Sequence, residues 1–415
     1  MSPTGRLAGL VAAAALLVLV APLAGSVLAL LALLAASGVD AWALRGDVRV
    51  ERSAPRVLSR AVPETLEVTP VPPLGSRARV RQPVPPDLSL SPGEASGRLE
   101  ARLVGRRRGR HVLPRPVVRL DGPLGLVRRD HRPGGEDEVL VYPDLRAAAR
   151  VVRAVREGRA GEAARLDRGP LGLGTDFESI RDYVPDDDVR QVNWRATARL
   201  GRPMSNQYRI ERDRDIVCLV DAGRLMAAPV GELTRLDAAV DAATAVGSVA
   251  DLLGDRCGVV AFDDAVRRRV TPTRGGGRAV VRSLFDLEPS PRDADYELAF
   301  RQVGQGKRAW VLVLCDLLEE AAARSLLEAL PMLARRHAVA VASVLDPDLD
   351  ALVRARPTDV RDVYAGGVAL EMLAARARVA ALLRRGGADV VEAPAATLGA
   401  ACVGAYLRAK ARGRL

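Results

Sequence analysis

Aromatic side chains are scarce in this chain of 415 residues: Phe, Trp and Tyr together make up 3%. Stacking platforms for single-stranded nucleic acid are therefore few, and the core must be built from the Leu, Val and Ala that dominate the 48% hydrophobic fraction. Lysine is almost absent. Lys307 and Lys410 are the only two, so the net charge of +11 is carried by arginine. The arginines are scattered and interleaved with acids, which fits a chain rich in Ala, Arg, Gly and Pro better than a basic groove for nucleic acid. The three histidines, His111, His131 and His337, are too dispersed for a zinc site or a Ser/His/Asp triad. None of the four cysteines forms a C-x-x-C pair, and Cys218, Cys257 and Cys315 sit in apolar runs, where they read as small buried hydrophobes. The lack of a disulfide-like pattern suits a reducing compartment. No P-loop, G-x-S-x-G elbow, H-E-x-x-H helix or Cys/His pair is present.

What is present begins with a long apolar run. No charged residue occurs from Leu7 to Val39, more than the roughly 20 residues one membrane crossing needs. Pro22 and Gly25 interrupt it, so residues 5–21 and 25–44 are expected to form a transmembrane helical hairpin, with one kinked span or a cleaved signal peptide as alternatives. Arg6 precedes the run, whereas Arg45, Arg49, Arg52, Arg56 and Arg60 follow it. The excess of basic residues on that side places the following chain in the cytoplasm, at an inner (plasma) membrane, where these arginines can touch anionic headgroups. Residues 1–45 are thus an anchor in a lipid bilayer.

Between 47 and 143 the pattern becomes period-two alternation cut by proline, as in Leu66-Glu67-Val68-Thr69 and Arg98-Leu99-Glu100-Ala101-Arg102-Leu103. This predicts half-buried strands in a small antiparallel β-sandwich-like domain. Residues 144–212 are expected to hold a linking helix over 145–166, a Gly-rich break at Gly169–Gly174, a turn at Pro185 with Asp186, Asp187 and Asp188, and a helix from about Val189 to Gly201 capped by one of those aspartates.

From 213 to 415 continuous apolar strands alternate with helices. Asp215–Asp221, Cys257–Phe262, Ala309–Asp316, His337–Val344 and Ala388–Glu392 are strands, Val266–Thr271 is an edge strand, and helices fall near 233–253, 276–287, 295–303, 319–336, 348–355, 364–385 and 395–411. Such alternation predicts an α/β fold with a doubly wound, mostly parallel sheet. Ligands of these sheets bind at the carboxyl ends of strands, and Asp221 and Asp316 both end strands there.

The block from Gly174 to Arg214 resembles the defining segment of the domain of unknown function 58 family, through Phe177, Arg181, Tyr183, Asp187, Asp188, Arg190, Trp194, Ala198 and Arg199. Asp121-Gly122-Pro123-Leu124-Gly125-Leu126 and Val139–Pro143 are similar to that family's upstream β segment. The resemblance implies a bacterial membrane protein of undefined activity, often encoded beside a MoxR-type AAA+ ATPase, which makes that ATPase the implied partner. Arg181, Tyr183, Asp187, Asp188, Trp194, Arg199 and Arg224 are the implied signature or partner-binding residues. The last part resembles von Willebrand factor A-type domains, whose metal site uses D-x-S-x-S after the first strand, a middle-loop Thr and an Asp after the fourth strand. Asp221 and Asp316 match the two acids, but Gly223 and Leu225 replace the serines and Asp295 is the nearest substitute for the Thr. A divalent cation such as magnesium needs about six oxygens. Two carboxylates about 5 Å apart repel by roughly 3 kcal/mol at an effective dielectric near 20, so something positive should offset them: a cation on Asp221, Asp316 and Asp295, or a guanidinium, with Arg224 nearest in sequence; the third reading is that the aspartates merely cap loops or helices. The expectation is a membrane-anchored interaction or assembly protein that is not an enzyme, needs no cofactor and binds no nucleic acid. A metal-dependent hydrolase using the strand-end carboxylates is the alternative.

Overall fold

The structure is a computed structural model that describes residues 1–16, 23–73, 76–157, 176–184, 192–209, 213–304, 307–317 and 320–412. The chain is mixed α/β and divides into two compact units, Met1–Tyr142 and Pro143–Leu415.

The first unit opens with β1 (Ser2–Pro3), α1 (Gly5–Leu16) and α2 (Leu23–Ala43). Of these, Gly25–Ala43 is the one described helix long and apolar enough to cross a membrane, with mean hydropathy 1.8 over 19 residues. Eleven strands follow: β2 (Arg49–Ser53), β3 (Val57–Ser59), β4 (Pro63–Val71), β5 (Arg77–Arg81), β6 (Leu88–Ser91), β7 (Glu94–Ser96), β8 (Leu99–Gly105), β9 (Gly109–Leu113), β10 (Val117–Asp121), β11 (Val127–His131) and β12 (Asp137–Tyr142). They form sheets of order β1-β11-β10-β5-β7, β2-β4-β8-β6 and β3-β12-β9. The alternation in the sequence is the reason. Leu66 and Val68, Leu99, Ala101 and Leu103, and Val118 and Leu120 are spaced two residues apart, and all turn inward to one core with Val80, Leu113 and Val141.

The apolar helix is tied into this unit by a charge. Asp40, fully buried, accepts the backbone N–H groups of Leu124, Leu126 and Val127 at 2.8, 2.7 and 3.0 Å. Gly122 is obligatory beneath it, because a Cβ there would lie 2.3 Å from the Asp40 carboxyl carbon. Of the five arginines expected to face headgroups, Arg52 and Arg60 do not. Arg52 donates to the Pro114 and Gly135 carbonyls and pairs with Asp137, and Arg60 is 5% exposed.

The second unit begins with α3 (Leu145–Arg156), β13 (Asp176–Asp182), α4 (Trp194–Leu200) and β14 (Met204–Arg209). It continues with β15 (Asp215–Asp221), β16 (Pro229–Val230), β17 (Leu233–Thr234), α5 (Arg235–Leu253), β18 (Arg256–Phe262), β19 (Val266–Arg274), α6 (Gly277–Leu284), α7 (Tyr296–Arg301) and β20 (Ala309–Leu314). It ends with α8 (Glu320–Ala334), β21 (Ala338–Leu345), α9 (Pro347–Arg354), α10 (Val360–Arg385), β22 (Asp389–Pro394) and α11 (Ala395–Ala411). A six-stranded sheet of order β19-β18-β15-β20-β21-β22 is its centre, with β19 antiparallel and the other pairings parallel. One face carries Ile216, Cys218, Leu312 and Ala340 under α3, α5, α6 and α11. The other carries Val217, Leu219, Val311 and Val341 under α7, α8 and α10. Burial on both faces is why the strands read as unbroken apolar runs. The helix expected to link domains is instead part of this unit, with Ala148 buried in the first of these cores. Lys410, one of two lysines, is buried on α11 and, with Tyr406, holds Asp255.

Candidate functional site

Parallel pairing puts the ends of the central strands at one level. Val220 is in register with Leu314, so Asp221 and then Cys315 and Asp316 emerge side by side at the carboxyl edge of the sheet. On the other flank Asp221 is in register with Phe262, which brings Asp263 to the same edge. Three aspartates from three strands therefore share this rim, all of them buried.

Each is satisfied differently. The backbone N–H of Gly223 donates to Oδ1 of Asp221 at 2.7 Å, and the Tyr296 hydroxyl donates to Oδ2 at 2.7 Å. Burial pushes this carboxyl up, more than those two hydrogen bonds pull it down, and the charges of Asp316 and Asp263 add to the push, giving a pKa of about 6. Tyr296 is itself raised well above its ordinary value, by burial first and by the Asp221 charge second. Asp263 ends lower, at about 2: burial pushes it up, but the Arg267 guanidinium at 2.6 Å, the Ala265 N–H and the Ser290 hydroxyl outweigh that. Asp316 meets Arg235, the first residue of α5, in an ion pair whose side chains are 4% and 5% exposed. The same guanidinium lies 3.9 Å from Asp346, which follows β21.

Arg235 is the residue that sequence reasoning missed. A cation in the first turn of a helix opposes the helix dipole, and this one opens a helix buried almost throughout. That conflict was the available signal, since a buried arginine at a helix start requires acids from elsewhere in the fold. Arg224, chosen by nearness in sequence, is the wrong arginine for the strand ends. It is exposed and donates to Asp293 at 2.6 Å. Tyr296 and Asp263 were also missed, although Tyr296 adjoins the candidate Asp295.

The donors do not fit a magnesium-type ion. Both oxygens of Asp221 already accept hydrogen bonds, Asp316 is engaged by a guanidinium, and Asp295 is exposed and caps α7 by accepting the Leu298 N–H at 2.9 Å. A serine at position 223 has no room: a Cβ there would lie 2.9 Å from the Arg292 carbonyl oxygen and 3.1 Å from Oδ1 of Asp221. Among the described residues no group of three or more His, Cys, Asp and Glu side chains is arranged to hold a metal ion.

Arg181, Tyr183, Trp194 and Arg199 belong to segments outside the six-stranded sheet. β13 and β14 pair antiparallel, and Arg181 and Tyr183 lie on or beside them. α4 begins at Trp194, not near Val189. Its cap is Asn193, whose side chain accepts the Ala196 N–H at 2.9 Å, and Val192 bridges Ser205 instead of joining the helix. Asp187 and Asp188 lie outside the described residues. Trp194 is 69% exposed, with exposed Arg199 and Leu200 on the same short helix, exposed Ile180 and Arg181 on β13 and exposed Val184 just after it.

Uncharacterized proteins of Mycobacterium bovis and of two Mycobacterium tuberculosis strains are each 26% identical to this chain over 214 residues, which is 49% of its length. The chain spans 66% of the length of those relatives. The family described as protein of unknown function DUF58 matches residues 179–385, a stretch that takes in both the exposed Trp194 surface and the rim with Asp221, Arg235, Tyr296 and Asp316, and it is to this family that the second unit is similar.

Proposed function

We propose that this protein is a membrane-anchored interaction protein of the domain of unknown function 58 family that performs no chemistry of its own. Its second unit is read as a degenerate von Willebrand factor A-like domain, and its partner as a MoxR-type AAA+ ATPase at the cytoplasmic side of the bacterial inner membrane. The observation that carries the reading is Arg235. A buried guanidinium supplies at Asp316 the positive charge that a metal would otherwise supply, and Asp221 spends both oxygens on Gly223 and Tyr296. A rim neutralised from within has no open coordination position with which to activate water, which disfavours the metal-dependent hydrolase.

The N-terminal segment supports anchoring by its length and apolarity. β1 pairs with β11, and Thr4 donates to the Gly125 carbonyl at 2.7 Å, so the start of α1 and the end of α2 meet the same β unit. That return suits a hairpin better than one crossing. Recognition is assigned to the Trp194 surface, because a large exposed aromatic beside arginines is the composition of binding hot spots. The test is co-purification from detergent of the full chain with a co-expressed MoxR-type ATPase, with Trp194→Ala as the control. Retention lost in the variant supports the reading. An ATPase that never co-elutes with the wild-type chain refutes it.

A further inference from the structure

The longest described helix of the second unit is apolar on two sides, and the chain covers one of them. α10 runs for 26 residues and is capped by Asp359, whose side chain accepts the Asp362 N–H at 2.8 Å. Its inward side buries Ala369, Arg376, Val379, Ala380 and Leu383. Val379 and Leu383 join the core under α8, and Arg376 donates to Glu392 of β22 at 2.6 Å. On the outward side Val360, Val363, Gly367, Leu370, Ala374 and Ala377 follow one another at alternating steps of three and four residues, and all six are exposed. Val360, Val363 and Leu370 are 71%, 59% and 58% exposed. Apolar residues at such steps form the seam along which one helix packs on another.

Gly367 marks the seam for close approach. A glycine inside a helix destabilises it and is used where another backbone or side chain must come near. Gly366 has such a neighbour within the chain, because a Cβ there would lie 3.5 Å from the Leu352 carbonyl oxygen of α9. Gly367 has none: beyond its own turn of helix, no atom lies within 4 Å of where its Cβ would be. The order of sizes along the seam names what comes near. Laid antiparallel on the same helix of a second copy, with Leu370 opposite Gly367, the seam also sets Val363 opposite Ala374 and Val360 opposite Ala377. Each layer then pairs one large side chain with one small one, the arrangement that fills space between facing helices and lets their axes approach to about 8 Å. Tyr364 and Glu371, both exposed on one flank of the seam, come beside each other across the pair, where the hydroxyl can donate to the carboxylate. Parallel pairing would set Gly367 on Gly367 and Ala374 on Ala374, leaving a void at each small layer.

We propose that the outward face of α10 is a self-association surface, on which a second copy of this chain docks antiparallel through the same helix. The contact is isologous, the same residues serving both copies. It goes beyond the ATPase partnership above and does not depend on it.

The experiment uses the full chain in detergent, with sedimentation velocity over the micromolar range reading the association. The wild-type chain is expected to dimerise as its concentration rises. Gly367→Leu enters open space within one copy and favours the helix, but it collides with Leu370 of the second copy. It should weaken dimerisation about tenfold or more, with urea unfolding of the monomer unchanged or improved. A mixture of Val360→Cys and Ala377→Cys chains, oxidised, reads the register, since the four native cysteines are buried. A disulfide joining the two kinds of chain is expected, and none between two Val360→Cys chains, which antiparallel pairing holds about 25 Å apart. Should Gly367→Leu lose its fold, the disulfide pattern decides alone. A wild-type chain that stays monomeric, a dimer that folded Gly367→Leu leaves intact, or disulfides formed only between identical chains overturns the proposal.

Discussion

Replacing Asp221 with Asn should stabilise the second unit at neutral pH and do almost nothing in acid. Asp221 titrates at about 6 in the folded chain against an ordinary 3.8. The folded state thus holds this proton more tightly than the unfolded state, so stability contributed by the group falls as pH rises through that window. Below the ordinary value both states are protonated and the group is neutral in its effect. Above pH 6 the folded state must carry a buried carboxylate, at a cost of ~3 kcal/mol from 1.36 kcal/mol per pH unit. Asparagine keeps an acceptor for the Gly223 N–H and can donate to the Tyr296 oxygen, so geometry is retained while the titration is removed. The assay is urea unfolding of the detergent-solubilised chain followed by Trp310, which is 2% exposed, with the exposed Trp42 and Trp194 changed to Phe. The variant's advantage should grow by ~2.4 kcal/mol between pH 4 and pH 8, the remainder having developed below pH 4. Parallel stability curves for the two proteins would show that burial does not strain this carboxylate, and the account of the rim would fail.

Other perturbations follow from the same contacts. Arg235→Met should cost ~3–5 kcal/mol, because Asp316 is left buried without its cation, and Asp316→Leu in the same chain should recover part of the loss in the same urea assay. Gly223→Ser, the change that restores one residue of the metal pattern, should destabilise by ~1–3 kcal/mol through overpacking against the Arg292 carbonyl, and magnesium added during thermal unfolding should not rescue it. In the first unit, Asp40→Ala removes the acceptor of three amides and should cost ~3 kcal/mol or more. Hydrogen exchange should then quicken at Leu124, Leu126 and Val127 before it does at Leu66 or Leu103, and unchanged protection at those three amides would contradict the clasp.

The apolar N-terminal run, the alternating strands and the apolar strand–helix repeats were legible because each pattern is local. An apolar run, a period of two and a doubly buried strand each write themselves into consecutive residues. Asp221 and Asp316 could be placed at one edge for a related reason, since parallel strands of similar length end together. Arg224 was legible only as the nearest cation, and proximity in sequence misled: it faces Asp293 while Arg235 holds Asp316. The helix start at Trp194 also escaped, because Asn193 and the aspartates before it are all good caps and only the Val192–Ser205 bridge excludes the longer helix.

By itself, then, the sequence determined which stretches are buried, on how many faces, and which acids end the central strands. The tertiary structure alone decided what those acids touch. Asp221 meets Tyr296 75 positions away, and Asp40 meets Val127 87 positions away. The physical reason is one of range: burial patterns arise from neighbours along the chain, whereas the partner of a buried charge is chosen by packing among segments that only the fold brings together.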